Sequence, residues 1–202
     1  MTADVKKEDL RPDHKAIGEM VEEGASVLDL GCGSGELLDY LSGHKGVRAS
    51  GIEISEEAIY KCVEKGLSVS HGDIDTGLTE YPDGMFDYVI FNQTMQQVHR
   101  PKEAILEALR IGRKVIIGFP NFCHINSRLQ LFFGGHVPIT HSLPYTWYAT
   151  PNLHFLSVRD FIKFCQETGI TIEKKKFLND SGEVKFWPNL LALNAIFQIS
   201  KI

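Results

Sequence analysis

The sequence has little of what would mark a metalloprotein, a nucleic-acid binder or a membrane protein. Its four cysteines, Cys32, Cys62, Cys123 and Cys165, show no CxxC spacing, which removes the usual thiolate zinc site and redox pair. They are expected to be reduced thiols in or near the core, and no metal is expected. Positive charge is also scarce: 21 Lys and Arg stand against 26 Asp and Glu, for a net charge of -5. That balance lacks the basic footprint of a nucleic-acid partner. The only basic cluster, Lys174–Lys176, fits a solvated strand edge, where lysine discourages further pairing. No stretch approaches the roughly 18 apolar residues of a membrane span, and the leader MTADVKKEDLRPDHK has no apolar run behind its charges. No membrane partner is expected, and the cytoplasm is the expected location.

The chain does have enough apolar material, 43% of 202 residues, to bury one sizeable core, so residues 1–202 are read as a single domain. A short helix is predicted over Ile17–Glu23. Apolar runs at Ser26–Leu30, Ser50–Ile54, Leu67–His71, Phe86–Asn92 and Lys114–Phe119 read as strands. Helical segments alternate with them, beginning at Glu36, at the Ser55 cap and at Lys102, which follows Pro101. Such alternation specifies an α/β fold, a mostly parallel sheet with right-handed crossovers and helices on both faces. Ligands in such sheets sit beyond the carboxyl ends of the strands. From about 121 to 155 the pattern gives way to an aromatic and proline-rich insertion, too long for an ordinary connection and too aromatic for disorder. Ser157 then caps a helix over Val158–Thr168, and strands at Gly169–Ile172 and Ala195–Ser200 complete the pattern.

Within this pattern Val27–Leu41, VLDLGCGSGELLDYL, joins a buried-strand run to a glycine turn and a helix start. A dinucleotide fingerprint, G-x-G-x-x-G, needs a third glycine where Glu36 stands. A carboxylate there also repels a pyrophosphate held at the helix mouth. This places an NAD-dependent oxidoreductase third among the readings. The observed order, Asp29-x-Gly31-x-Gly33-x-Gly35, resembles the first motif of class I S-adenosylmethionine-dependent methyltransferases. That cofactor carries an ammonium, a sulfonium and a ribose diol but no phosphate, so acidic neighbours suit it. The resemblance implies that Glu53 accepts from the ribose hydroxyls, that Asp73 accepts from the adenine amino group and that Ile74 packs on the ring. Asn92 opens the segment that contacts the amino-acid end. The implied cofactor set is Asp29, Gly31, Cys32, Gly33, Gly35, Glu53, Ile54, Asp73, Ile74 and Asn92.

Over nearly its whole length the chain resembles the methionine biosynthesis protein MetW family. The resemblance rests on VLDLGCGSGELLDYL (27–41), GIEI (51–54), VIFNQTMQQVHRPKEAILEALRIGRK (89–114), FPNF (119–122), LPYTWYATPNLHF (143–155), RDFIKFC (159–165) and PNLLA (188–192). It implies a single-domain class I methyltransferase (Rossmann-like) fold with a mostly parallel seven-stranded sheet. It also implies S-adenosylmethionine as cofactor and homoserine O-acyltransferase as partner, with this chain as sensor or activator. The alternative is methyl transfer to a small molecule. An Asn/Asp-Pro-Pro-aromatic motif is missing after the fourth strand, where Asn92-Gln93-Thr94-Met95 stands, which disfavours methylation of nucleic-acid amino groups.

If a base is required, His124 and His154 are the candidates. Tyr145, Trp147 and Tyr148 are open to three readings: a substrate pocket, a partner surface, or internal packing of the insertion.

Overall fold

The computed structural model describes residues 10–201, so the polar leader before residue 10 lies outside the described residues. Its strands are β1 (Ser26–Leu30), β2 (Arg48–Glu53), β3 (Ser68–His71), β4 (Phe86–Asn92), β5 (Gly112–Pro120), β6 (Thr171–Asn179), β7 (Gly182–Glu183) and β8 (Asn194–Ser200). They form one sheet in the order β3-β2-β1-β4-β5-β8-β6-β7. β1 to β5 pair in parallel, and β8 runs antiparallel between β5 and β6. The expected sheet of seven strands is present, and the eighth is the two-residue β7, which pairs only with the end of β6.

The helices are α1 (Pro12–Gly18), α2 (Glu36–Lys45), α3 (Glu56–Glu64), α4 (Pro101–Ile111), α5 (Ile125–Leu129), α6 (Val158–Thr168) and α7 (Pro188–Leu191). Successive strand residues face opposite sides of a sheet, and the core divides accordingly. Leu28, Leu30, Val89, Phe91, Ile117 and Phe197 pack on one side with α4 and α6 residues such as Ile105 and Phe161. Val27, Tyr88, Ile90, Ile116 and Ile196 pack on the other with Ile17 of α1 and Leu37 and Leu41 of α2. A small third cluster, Cys32, Leu38 and Cys62, lies beneath the glycine turn.

Local chemistry sets the element ends. Ser157 Oγ accepts from the Asp160 N–H while Asp160 accepts from the Ser157 N–H, a reciprocal cap that starts α6. Gly169, at φ +70°, ends it. The first helix starts at Pro12 rather than Ile17, because proline at the first helical position is preset for the turn. The lysines 174–176 do lie on β6, along the part of that strand that pairs with β8 alone. All four cysteines are free thiols, with Cys32, Cys62 and Cys165 buried.

Phe197 of β8 anchors the larger core cluster, with ring centroids 5.9 Å from Phe119, 4.8 Å from Phe161 and 5.7 Å from Phe177. Truncation to alanine leaves a cavity among residues of β5, α6 and β6. Phe197→Ala is expected to lower stability by about 3–5 kcal/mol, read as a lower urea midpoint with an unchanged m-value.

Candidate cofactor site

The carboxyl ends of β1, β2, β3 and β4 open on a cavity of about 440 Å³ lined by Gly31, Gly33, Glu53, Ile54, Asp73, Ile74, Asn92 and Gln93, among others. A smaller recess of about 230 Å³ continues from it and is lined by Arg11, His14, Asp29, Cys32, Glu36 and Asn92. The structure therefore gathers the sequence-derived set around one cleft, apart from Gly35, which works from behind.

The glycines are required by geometry. Gly31 has φ +76°, and a Cβ there would meet Thr94 Cγ2 at 2.5 Å. Gly35 has φ +77°, and its Cβ would strike Leu67 Cδ1 at 2.5 Å and Cys62 Sγ at 2.8 Å. Left-handed backbone and close approach together demand glycine. The loop is tied to β2 by the N–H groups of Gly31 and Cys32, both donating to Ile52 O at 2.8 and 3.2 Å.

Glu53 closes the same contact. Its Oε2 accepts from the Gly33 N–H at 2.8 Å, and its Oε1 accepts from Ile54 and Ser55 N–H, each at 2.9 Å. Three backbone donors fix the carboxylate, and only Oε2 keeps a lone pair for a ligand hydroxyl. Accepting from both hydroxyls of a diol would require release of one of these bonds. Asp73 Oδ1 accepts from the Asp75 N–H at 2.9 Å, which starts a 3-10 turn over Ile74–Thr76 and leaves Oδ2 for a ligand donor. Ile54 and Ile74 both line the cavity.

Asp29 is the electrostatic focus. It is 2% exposed, and its Oδ1 has no hydrogen-bond partner among the described residues. Burial, reinforced by the nearby Glu53 charge, pushes its carboxyl up to about 7 from an ordinary 3.8. A buried acceptor of this kind is short of a donor, and a cationic amine supplies both hydrogen bonds and charge. Beside it Arg11 donates to Asp13 at 3.1 and 2.7 Å, and Asn92 Nδ2 donates to Asp13 Oδ2 at 2.9 Å. Burial opposes ionisation of Asp13, but Arg11, His14 and these hydrogen bonds outweigh it and hold its pKa below the ordinary value. Burial also lowers the pKa of His14, against the pull of Asp13.

Sequence reasoning placed Gln93 in the segment after β4 but did not find Arg11, His14, Gln97 and His99 as cleft residues, and all five line these recesses. Their approach depends on how α1 and the segment after β4 fold over the sheet. The backbone does carry one signal, since Gln93 has φ +61°, rare for a residue with a side chain. His99 and Arg100 hold the adjoining loop through Asp75, whose Oδ2 accepts from the His99 N–H and lies 3.0 Å from His99 Nδ1. A further cavity of about 670 Å³ joins the cleft at Gln93 and Gln97 and includes Tyr145, His141, Asp180 and Arg11.

The histidine candidates fall elsewhere. Residue His124 is buried, and its Nδ1 accepts from the Asn126 N–H as the cap of α5, so its ring serves a helix end. His154 donates its backbone N–H to Gln96 O. Neither lines the three cavities. Of the three aromatic candidates Tyr145 reaches a cavity, while Trp147 and Tyr148 stack edge-on at 5.6 Å and stand in solvent. Among the described residues no group of three or more His, Cys, Asp or Glu is placed to hold a metal, and no helix is long and apolar enough to cross a membrane.

Sheet order, glycine loop and acidic strand ends define a class I methyltransferase-type fold with a nucleoside-sized cleft. Two solved S-adenosylmethionine-dependent methyltransferases share it. One, from Mesorhizobium loti, has TM-score 0.67 and 17% identity, covering 95% of this chain and 98% of that one. The other, from Archaeoglobus fulgidus, has TM-score 0.67 and 16% identity, covering 93% and 94%. A profile of the methionine biosynthesis protein MetW family matches residues 11–199, and the chain belongs to that family. It is also 33% identical over 184 residues to the bifunctional methionine biosynthesis protein MetXA/MetW of Rhodopirellula baltica, a match covering 86% of this chain and 30% of that protein. The chain thus spans about a third of the length of that curated relative.

Because Asp29 keeps its proton to higher pH in the fold than in the unfolded chain, the folded state binds more protons between pH 4 and 7. Stability without ligand therefore falls as pH rises through that window. Asp29→Asn is expected to flatten this slope and to be the more stable protein at pH 7, as urea unfolding at pH 5 and pH 7 will measure.

Proposed function

We propose that the chain binds S-adenosylmethionine in this cleft and acts beside homoserine O-acyltransferase as an accessory subunit that reads the cofactor. The buried Asp29 carboxylate at the end of the cleft, whose Oδ1 has no partner among the described residues, carries the cofactor part of the reading. It meets the ammonium of the amino-acid end, with Arg11 near enough to serve the carboxylate of the same ligand. Glu53 takes a ribose hydroxyl, Asp73 takes the adenine amino group, and Ile54 and Ile74 flank the ring. Family membership and a relative whose name joins MetXA to MetW support the partner. An accessory role requires that the ligand favour one of two states of the pair, by differential affinity.

The second reading, methyl transfer to a small molecule, is favoured by the 670 Å³ cavity that meets the cleft at Gln93 and Gln97. Transfer needs chiefly alignment of a nucleophile with the sulfonium methyl, and a base where the nucleophile is protonated. His141, whose Nδ1 lies 3.0 Å from Asp180 Oδ1, lines that cavity and takes the base role in this reading, in place of His124 or His154.

Titration calorimetry is expected to show S-adenosylmethionine binding, weakened about tenfold or more by Glu53→Ala and by Asp73→Ala, a loss of roughly 1.4 kcal/mol each. Below pH 7 binding is expected to release a proton from Asp29, visible as a dependence of the heat on buffer ionisation enthalpy. An unaltered protein that binds no S-adenosylmethionine overturns the cofactor reading. The acyltransferase assayed with and without this chain decides between roles: a raised rate supports the accessory subunit, and labelled methyl appearing on a metabolite supports the enzyme.

A further inference from the structure

Residues 129–158 contain no Asp, Glu, Lys or Arg, in a chain that is 23% charged. Yet this stretch is not buried. Among the described residues the six most exposed large apolar side chains are Phe132, Phe133, Trp147, Tyr148, Phe186 and Trp187, each at least 74% exposed. The first four lie in the uncharged stretch, and the last two immediately precede α7. Both segments stand at one end of the sheet, because the stretch follows β5 while α7 leads into β8, and Pro120 of β5 pairs with Asn194 of β8.

Trp187 is held in place. It has φ +46° and ψ +52°, a left-handed conformation that a bulky side chain rarely adopts. The turn that follows is fixed from below by the fully buried Asn121, whose Nδ2 donates to Ala192 O at 2.8 Å and Asn189 O at 3.2 Å. Arg128 and the Arg159 N–H secure Asn189 from the sides, at 3.3 and 3.1 Å. A tryptophan in a strained backbone conformation, its ring in water beside a turn fixed by a buried polar side chain, is a feature that folding alone does not require.

Resting on the partnership proposed above, we infer that this aromatic face is the docking surface for the acyltransferase, with Trp187 and Phe133 as its anchors. Protein interfaces are depleted of Lys, Glu and Asp and enriched in aromatics, and a few Trp, Tyr and Arg residues carry most of the energy. The relative in which MetXA and MetW form one chain argues for this occupant, since fusion keeps the two proteins beside each other. A partner seated there also roofs the 670 Å³ cavity, whose wall includes Pro144, Tyr145 and Pro151 of the same stretch.

The test measures the dissociation constant between purified acyltransferase and the full chain, unaltered or carrying Trp187→Asn, Phe133→Ser or, as a control on α3, Tyr60→Ser. Asparagine tolerates the left-handed backbone, so Trp187→Asn removes the ring without opposing the turn. Each face variant is expected to weaken binding at least about tenfold. Its melting temperature and S-adenosylmethionine affinity are expected to stay unchanged, and Tyr60→Ser is expected to bind like the unaltered chain. If the unaltered chain binds and both face variants bind equally well, the docking surface is overturned while the partnership stands. If the unaltered chain does not bind the acyltransferase, the partnership itself falls. If sedimentation shows instead that the face variants break a self-associated form that excludes the acyltransferase, the occupant is a second copy and the inference is overturned.

Discussion

The close seating of the glycine turn on β2 is the contact on which the rest of the site depends. Gly51 lies beneath Cys32 so tightly that a Cβ there would meet Cys32 Sγ at 2.5 Å and Leu38 Cδ1 at 2.9 Å. Only because that space is free can the N–H groups of Gly31 and Cys32 both reach Ile52 O. The same seating delivers the Gly33 N–H to Glu53. A carboxylate proposed to hold a ligand is thus also part of what shapes the loop, so a ligand that competes for Glu53 acts directly on the turn. This gives the accessory role a physical starting point, because occupancy and loop geometry share one hydrogen-bonding group.

A second constraint is polar. Among the described residues Asp29 Oδ1, Asn92 Oδ1 and Gln96 Oε1 are buried without partners, and all three residues line the recesses at this end of the sheet. Each such atom costs on the order of 1–3 kcal/mol when left unsatisfied. A fold selected for stability alone would fill these positions with apolar side chains. Three of the six such atoms among the described residues thus stand near Gln93, itself in a strained backbone conformation, while Tyr88 OH, Ser127 Oγ and Gln198 Oε1 lie away from these recesses. The three at the cleft fit a surface organised for ligands.

The central strands of the parallel half, β1 and β4, were legible because they are buried. Ser26–Leu30 and Phe86–Asn92 read as continuous apolar runs and match β1 and β4 at both ends. β6 was visible only at its start, since Lys174–Lys176 interrupt the apolar pattern on a strand that continues to Asn179. Two short elements of the insertion, α5 and a π-helical turn over Gln130–Gly134, went unread, as did α7 ahead of β8, because short helices stabilised by tertiary contacts lack a readable period. The acids of the site stand at strand ends and were legible through their spacing. Arg11, His14 and His99 reach the cleft only through the packing of α1 and the loop after β4, which no local pattern encodes.

The placement of β8 has a consequence for how the molecule is made. β8 is the last of these strands in chain order, yet it lies between β5 and β6 and shares Phe197 with both flanks. During synthesis β1 to β5 can assemble as they emerge, but β6, and β7 paired to it, lack the strand that joins them to the sheet until β8 has left the ribosome. The aromatic insertion, made well before β8, therefore spends that interval beside an unfinished sheet with its rings exposed. A cell making this protein has reason to have an apolar-binding chaperone at hand until β8 has joined the sheet.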